Sequence, residues 1–211
     1  MSNLSRAWLL QSVGKYNKVV PFFLDALRST EYFDMFYVVS DDPDGFLPGS
    51  LRIPLEEDLG WSNNIIKGLQ YVSQDVFFMG CEDHVLVDFE KLLIDCAYEM
   101  VTEGKYGCVR LTKKPKIPRG CYDKSLTVAE IDPSYKYLVS LQPTVWSKKY
   151  LEKIIRPGES AWQFEVLASQ RARELDIPVG VTYKTAFNYR NTMDKGEANP
   201  DTRTYTEIHG T

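Results

Sequence analysis

The sequence predicts an α/β fold built on a mostly parallel central sheet with helices on both faces. Strand-like apolar segments alternate along the chain with segments whose apolar residues recur at helical spacing. One stretch, DVFFMG at residues 75–80, is apolar without alternation, which is typical of a strand covered on both faces. With 211 residues, of which 44% are hydrophobic, the chain can bury one sizeable core, and we expect a single domain over residues 1–192.

The first elements predict a β-α-β unit. The apolar run AWLLQSV at residues 7–13 is typical of a strand, and apolar residues between 19 and 27 then recur at helical spacing behind Asn17, a possible helix cap. A β-branched and aromatic segment at residues 35–40 predicts the second strand. It runs into an acidic turn that begins with Asp41.

Two further pairs of elements follow. LRIPL at residues 51–55 predicts a short strand, and a helix is expected after Gly60. The apolar strand at residues 75–80 comes next. We expect Asp88 to cap the following helix, whose apolar repeat runs to Met100 and which Gly104 closes.

The second half is less regular. Its predicted elements are a strand at residues 107–112, a basic loop at 113–120, a strand at 135–146 and a short helix at 148–155. Ser160 and Gln163 form a capping-box pattern that opens a further helix. Residues 193–211 are rich in polar and turn-forming residues, which predicts a tail or a closing flap.

Composition excludes several classes of protein. The net charge of −4 and the pI near 5.3 give no positive field for holding nucleic acid. The sequence contains no run of about 18 apolar residues, so it predicts no membrane span. Residues 7–13 are too short for a signal peptide, and we therefore expect cytosolic residence. The four cysteines are irregularly spaced without a CxxC pair, which favours reduced thiols over a zinc site or a disulfide framework.

Acidic clusters follow two predicted strands. Asp41, Asp42 and Asp44 come after the second strand, and Glu82, Asp83 and His84 come after the central one. Ligands in open α/β sheets bind beyond the carboxyl ends of the strands. Carboxylates and imidazole suit Mg²⁺ or Mn²⁺, although an acidic triplet after a strand is also typical of a solvated turn.

Two segments carry a resemblance to GT-A glycosyltransferases. GWSNNIIKGLQYVSQDVFFMGCEDH, residues 60–84, resembles the segment of that family in which a Gly and an Asn open a helix and an apolar strand ends in the D-x-D signature. SLQPTVW at 140–146, followed by ESAWQFE at 159–165, is similar to a second segment of small GT-A proteins. There, a strand ending in Trp precedes a Trp-x-x-Glu helix start. The resemblance covers residues 7 to about 182.

The resemblance implies a three-layer α/β/α sandwich with a nucleotide-sugar half over about 1–104 and an acceptor half over about 105–192. It implies a nucleotide-diphosphate sugar as donor, with a UDP-sugar as the first candidate. The acceptor would be a carbohydrate or another hydroxyl compound, and the cofactor would be Mn²⁺ or Mg²⁺. Two alternatives stay open. One is a catalytically inert member of the fold. The other is a sugar nucleotidylyltransferase, for which SVGKYNKVV at residues 12–20 offers a single Gly and a Lys in its first loop.

Carried over to these positions, the donor side of the site would contain Asp41 or Asp42 near the ribose or base and Asn64 at the helix opening. Asp83 would match the last carboxylate of D-x-D, with Cys81 in the first acidic position. A second registration pairs Glu82 with His84, since residues two apart on a strand face the same side. Both registrations remain open at this point. Asp83 and His84, which directly follow the central strand, are the candidate metal ligands.

On the acceptor side, Glu165 matches the carboxylate that removes the proton from the attacking hydroxyl in inverting GT-A enzymes. The alternative is that Glu165 only interacts favourably with the helix dipole. Trp162 would provide a flat apolar wall for a sugar. Trp61 would either provide a second platform for a sugar or be a core residue.

Two predictions concern the basic loop and the chain end. Lys113, Lys114, Lys116 and Arg119 form either a solvated loop or a lid over the diphosphate. Many GT-A proteins close their metal site with a C-terminal His, which would be His209 here. The alternative for His209 is a frayed terminal segment.

Overall fold

The structure, a computed structural model, describes residues 5–42, 49–113, 127–194 and 197–198. Eight strands form the central sheet: β1 (Ala7–Ser12), β2 (Met35–Ser40), β3 (Leu51–Pro54), β4 (Val76–Met79), β6 (Cys108–Arg110), β7 (Val128–Glu130), β8 (Thr144–Ser147) and β9 (Val179–Thr182). Two smaller two-stranded sheets pair β5 (His84–Phe89) with β10 (Phe187–Asn191) and β11 (Met193–Asp194) with β12 (Glu197–Ala198).

The central sheet is mostly parallel, as predicted. Its strand order is β3-β2-β1-β4-β8-β6-β9-β7. The pairs β2–β3, β1–β2, β1–β4 and β6–β9 are parallel. Strand β8 runs antiparallel to both of its neighbours, and β7 is antiparallel to β9. The six remaining strands therefore end at one edge of the sheet.

Helices cover both faces of this sheet. They are α1 (Val20–Arg28), α2 (Trp61–Leu69), α3 (Lys91–Thr102), α4 (Lys148–Ile154) and α5 (Ala161–Arg173). Helices α1 and α3 pack on one face, and α2, α4 and α5 pack on the other. The three-layer α/β/α sandwich is thus confirmed.

Strand β4 is an interior strand, between β1 and β8, as its continuous apolar sequence predicts. Phe77 and Met79 belong to the core beneath α2, α4 and α5, whereas Val76 and Phe78 belong to the core beneath α1 and α3. All four side chains are buried. Successive residues of a strand point to opposite faces, so a strand buried on both faces needs apolar residues at every position.

The segment after β4 differs from the prediction. Asp88 does not cap a helix, because residues 84–89 form strand β5, which pairs antiparallel with β10. Helix α3 begins at Lys91 with Glu90 as its N-cap residue, and the Glu90 N–H donates to the carbonyl of Ala186. The partner strand lies about a hundred residues further along the sequence, and the local pattern does not reveal such a pairing.

Two other local predictions were wrong. Only Thr144–Ser147 of the predicted strand at 135–146 is extended in the sheet, because side chains bind the preceding backbone: Arg110 donates to the Tyr137 carbonyl, and Ser169 Oγ accepts the Val139 N–H. Asn17 makes no cap hydrogen bond to α1; it lies in a 3-10 helix over Gly14–Val19.

Several sequence-based predictions fall on residues outside the described ranges. These are Asp44, Lys114, Lys116, Arg119, Cys121 and His209. Within the part of the chain that the structure describes, no helix is long and apolar enough to cross a bilayer.

Candidate functional site

The candidate site lies at the edge of the sheet where the parallel strands end. The register of β1 and β2 places Ser12 beside Ser40, and β4 ends next to β1 at Met79. The turn that carries Cys81–His84 follows β4 directly. The predicted groups after the second and central strands therefore meet at one edge, as expected for open α/β sheets.

The Cys81–His84 turn brings three metal-binding side chains together. The His84 N–H donates to the Cys81 carbonyl at 3.1 Å and closes a four-residue turn. The Asp83 carbonyl accepts the Thr192 N–H at 2.8 Å and its hydroxyl at 3.2 Å, which ties the turn to the segment after β10. One ligand atom from each of Cys81, Asp83 and His84 lies within 4.8 Å of the other two.

This geometry bears on the two registrations. Glu82 and Asp83 lie in a turn, so the rule that residues two apart face the same side of a strand does not apply to Glu82 and His84. Among the described residues, the ligand group contains Cys81, Asp83 and His84, without Glu82. The imidazole Nε2 of His84 lies 3.9 Å from Asp83 Oδ1.

Burial controls the electrostatics of the turn. It raises the pKa of Glu82 to about 8, with a further contribution from the Asp83 carboxylate, and it also raises the pKa of Asp83. Burial lowers the pKa of His84 to about 4. At neutral pH the imidazole is therefore in the neutral form that binds metals.

His84 is held by an aromatic ring but keeps one nitrogen without a partner. The Tyr189 ring lies 4.1 Å from the imidazole, centroid to centroid. His84 Nδ1 is buried and has no hydrogen-bond partner among the described residues. A buried polar atom without a partner is costly, which fits a position that a ligand completes.

The donor set of this turn fits a divalent metal, although not equally well for every ion. Carboxylate, imidazole and thiol are all metal ligands, and Asp83 and His84 were both predicted in that role. Mg²⁺ prefers oxygen ligands, which only Asp83 supplies here, whereas Mn²⁺ also accepts imidazole nitrogen. The third predicted ligand, His209, lies outside the described residues.

On the donor side, Asp41 organises the loop after β1. Its carboxylate accepts the Gly14 N–H at 3.0 and 3.1 Å and the Asn17 amide at 2.9 Å. These hydrogen bonds hold the pKa of Asp41 below its usual value, and the bond from Asn17 has the largest effect. The Asp42 N–H donates to Ser40 Oγ at 3.1 Å. Both aspartates stand where the strands end, and their contact with a nucleoside stays a prediction.

Asn17 links the two strand ends and was missed as a site-building residue. Its Oδ1 accepts the hydroxyls of Ser12 and Ser40, while its amide donates to Asp41. An asparagine before an apolar helix is usually assigned as a cap, so its position in the sequence does not indicate this role.

Asn64 is fully buried at the start of α2. Its Oδ1 accepts the Leu59 N–H at 3.2 Å, and its Nδ2 donates to Asp58 Oδ1 at 2.7 Å. Asp58 Oδ1 also accepts the N–H of Gly60, whose φ of 86° favours glycine. Asn64 thus fixes the loop before α2. Its donor-binding role stays a prediction.

Glu165 lies in the second turn of α5. The predicted capping box of Ser160 and Gln163 is present at the start of this helix. Glu165 Oε1 accepts the Ser140 hydroxyl at 2.9 Å and the Leu141 N–H at 2.8 Å. Glu165 Oε2 has no hydrogen-bond donor in the described ranges, which leaves one carboxylate oxygen for a ligand.

Leu141 connects Glu165 to the Cys81–His84 turn. Its N–H donates to Glu165, and its carbonyl lies 3.7 Å from Cys81 Sγ as the acceptor of the thiol. Gly80 lies beside Pro143 of the same loop, where an added Cβ would come within 3.4 Å of the Pro143 backbone. The structure therefore brings the predicted base and the predicted metal-binding turn to one place.

The two tryptophans lie at adjoining helix starts. The Ser62 N–H donates to the Glu159 carbonyl, and the Glu159 N–H donates to Ser62 Oγ, which joins the start of α2 to the segment before α5. Trp61 is half-buried, with its ring centroid 4.8 Å from that of Phe164. Trp162 is 84% exposed and leaves its ring open to a ligand. Both acceptor-binding assignments stay predictions.

Sequence reasoning missed a polar network beside His84. Gln142 Oε1 accepts the Thr112 hydroxyl at 2.6 Å and the buried Arg110 guanidinium at 3.1 Å. Burial raises the pKa of Tyr189, and the Gln142 side chain lies close enough to its hydroxyl to offset part of this rise. A cavity of about 390 Å³ adjoins these residues, and Lys113 and Arg190 contribute to its wall. Nothing in the spacing of these residues marks them in the sequence.

Comparison with known proteins identifies the fold. No protein-family model matches the sequence, and no curated protein matches it. The structure is similar to S. aureus TarS residues 1–349, with a TM-score of 0.63 and 15% identity over 89% of this chain and 60% of that one. It is also similar to the mannosyltransferase PcManGT from Pyrobaculum calidifontis in complex with GDP-Man and Mn²⁺, with a TM-score of 0.64 and 14% identity over 92% of this chain and 59% of that one.

A third similar structure is close to this chain in length. It is the inositol-1-phosphate CTP transferase from T. maritima, with a TM-score of 0.59 and 13% identity over 98% of this chain and 97% of that one. These likenesses define a GT-A-like fold. The chain spans about 60% of the first two structures.

Proposed function

We propose that the chain transfers a sugar from a nucleotide-diphosphate sugar to an acceptor hydroxyl with inversion. The observation that carries this proposal is the position of Glu165. One of its oxygens is fixed by Ser140 and Leu141, and the other is left for a ligand. Through Leu141, this carboxylate is connected to the turn that follows β4.

In the proposed reaction, the acceptor oxygen attacks the anomeric carbon while the bond from that carbon to the diphosphate oxygen breaks. The nucleoside diphosphate leaves with the electron pair, and Glu165 takes the proton from the attacking hydroxyl. The hydrogen bonds from Ser140 and Leu141 orient the carboxylate before the acceptor arrives, so that little reorganisation remains for the reaction itself.

We assign the donor to the ends of β1, β2 and β4. Asp41 and Asp42 are the candidates for the nucleoside, and Asp83 and His84 would hold a divalent metal, Mn²⁺ rather than Mg²⁺ by their chemistry. When bound, such a metal would neutralise the charge on the diphosphate leaving group. The exposed ring of Trp162 and the half-buried ring of Trp61 are the candidate sugar platforms.

The nucleotide is tested by a thermal-shift panel of UDP, GDP, CMP and dTDP, each with and without Mn²⁺. Binding to the native state raises the melting temperature by mass action. We expect UDP with Mn²⁺ to give the largest shift. GDP is a necessary comparison, because PcManGT binds GDP-Man. No shift with any of the four nucleotides would reject a nucleotide-sugar donor and favour the inert member of the fold.

A second candidate is a sugar nucleotidylyltransferase, and the match to the CTP transferase along almost its whole length favours it. Against it, the loop after β1 has the single glycine Gly14, whose N–H is bonded to Asp41 instead of being available for a triphosphate. Incubation with CTP or UTP and a sugar phosphate distinguishes the two, since only a nucleotidylyltransferase releases pyrophosphate.

A further inference from the structure

The Cys81–His84 turn places a thiol beside a carboxylate and an imidazole, and the three side chains could hold one metal ion. The hydrogen bond from the His84 N–H to the Cys81 carbonyl fixes the backbone between the two residues. Sγ of Cys81 lies within 4.8 Å of one ligand atom each of Asp83 and His84. Atoms bound to one tetrahedral ion at about 2.0–2.3 Å are roughly 3.5 Å apart, so side-chain adjustments of about 1 Å complete the set.

Among the described residues, two of these three side chains have no strong hydrogen-bond partner. In the same ranges, the Cys81 thiol donates only to the Leu141 carbonyl, and the sulfur–oxygen distance of 3.7 Å makes this a weak bond. His84 Nδ1 is buried without a partner in the described part of the chain. An ion at this position therefore competes with one weak hydrogen bond and with the proton of the Cys81 thiol, whose pKa is raised by burial.

We propose that Cys81 is a metal ligand through its thiolate, and that Cys81, Asp83 and His84 together select a thiophilic divalent cation such as Co²⁺ or Zn²⁺ over Mg²⁺. Thiolate and imidazole favour these ions, whereas Mg²⁺ demands oxygen. Binding forms a sulfur–metal bond and releases the thiol proton to solvent, with no change in oxidation state. Three protein ligands leave at least one position open for solvent or a diphosphate oxygen.

The use of this ion in sugar transfer rests on the proposed function, but its binding can be measured independently. Metal-free full-length protein is titrated with CoCl₂ under reducing, anaerobic conditions, and the absorption spectrum is recorded. A cobalt–thiolate bond produces a charge-transfer band in the near ultraviolet. We expect this band to saturate at one ion per chain and to persist in a large excess of Mg²⁺.

Three variants test whether the charge-transfer band arises from Cys81. Cys81→Ser should abolish it and weaken Co²⁺ binding by about tenfold or more, since even outer-shell partners of a metal contribute that much. Cys96→Ser, on helix α3, is the matched control and should keep the band. Cys81→Asp should lose the band but bind Mn²⁺ more tightly than the wild type, as measured by electron paramagnetic resonance of free Mn²⁺.

A wild-type protein without the band, or a band that survives in Cys81→Ser, would overturn the assignment. Equal Mn²⁺ affinity in wild type and Cys81→Asp would also overturn it, and this comparison holds even if Cys81→Ser fails to fold. The two proposals fail separately. Sugar transfer with Mg²⁺ but no cobalt–thiolate band rejects the Cys81 ligand alone, whereas the band without any transfer rejects the proposed function alone.

Discussion

The Tyr189 ring lies against the His84 imidazole, with ring centroids 4.1 Å apart and planes inclined by 32°. His84 begins strand β5 and Tyr189 lies on its partner β10, so the contact depends on a pairing between segments about a hundred residues apart. Burial raises the pKa of Tyr189, and the nearby Gln142 side chain partly offsets this rise. The contact with the Tyr189 ring limits the orientations that the imidazole can adopt.

Removal of that ring should weaken metal binding. Tyr189→Leu leaves the imidazole free to rotate, and loss of an outer-shell partner typically costs about 10- to 100-fold in metal affinity. Tyr189→Phe retains the ring and should stay within a few-fold of the wild type. Isothermal titration with Co²⁺ or Mn²⁺ measures both variants. Similar affinities for Tyr189→Leu and Tyr189→Phe would mean that the ring does not position His84.

Stability should depend on pH through Glu82 in metal-free protein. The folded chain keeps a proton on this carboxyl up to a pH of about 8, whereas the unfolded chain releases it near 4.5. The folded state therefore binds more protons in this interval, and stability falls as the pH rises. His84, with a pKa of about 4 when folded and 6.5 when unfolded, has the opposite effect but only below about pH 6.5.

Between pH 6.5 and 8, Glu82 therefore contributes to the pH dependence of stability and His84 does not. Glu82→Gln should show a flatter loss of stability across this window than the wild type. Urea denaturation in the presence of EDTA at several pH values measures it. Parallel pH profiles for wild type and Glu82→Gln would contradict the raised pKa of Glu82.

Asn64 should contribute to stability through the loop before α2. Asn64→Ala removes two part-buried hydrogen bonds, to the Leu59 N–H and to Asp58 Oδ1, at a combined cost of about 1–3 kcal/mol in the free energy of unfolding. Asn63→Ala is the control, because the hydrogen bond of Asn63 to Leu59 is exposed to solvent. Urea denaturation compares the two. An equal loss in both variants would mean that burial of Asn64 is not what stabilises the loop.

Asp83 should couple metal to nucleotide. Asp83→Asn removes one ligand charge at nearly constant shape, so the Mn²⁺-dependent part of the nucleotide thermal shift should disappear while the melting temperature of the free protein changes little. Asp88→Asn, on the exposed side of β5, should keep the full shift. A normal Mn²⁺-dependent shift in Asp83→Asn would remove Asp83 from the metal site.

The fold was predictable where periodicity is local. Residues 76–79 are apolar at every position and form the interior strand, and Ser160 with Gln163 opens α5 as expected. The strand at 84–89 was not predictable, because its partner β10 lies far away in the sequence. Likewise, residues 137–139 bond to Arg110 and Ser169 side chains rather than to a neighbouring strand, and nothing in their own sequence indicates this.

The site was predictable only in part, for the same reason. Asp83, His84 and Glu165 carry recognisable chemistry at strand or helix ends, and the structure brings them together through Leu141. Tyr189 and Gln142 act through contacts between distant segments and leave no signature in the sequence. Asn17 has a sequence environment typical of a helix cap, which conceals its bonds to the two strand ends.

The central claim is that Glu165 is the base of a sugar transfer, and the turnover of Glu165→Gln tests it most directly. Gln retains the size of the side chain but cannot take the proton, so turnover of the nucleotide sugar selected by the thermal-shift panel should fall by roughly 10²-fold or more. The nucleotide thermal shift should be unchanged. Glu174→Gln, just past the other end of the same helix, should keep wild-type turnover. Wild-type turnover in Glu165→Gln would contradict the account.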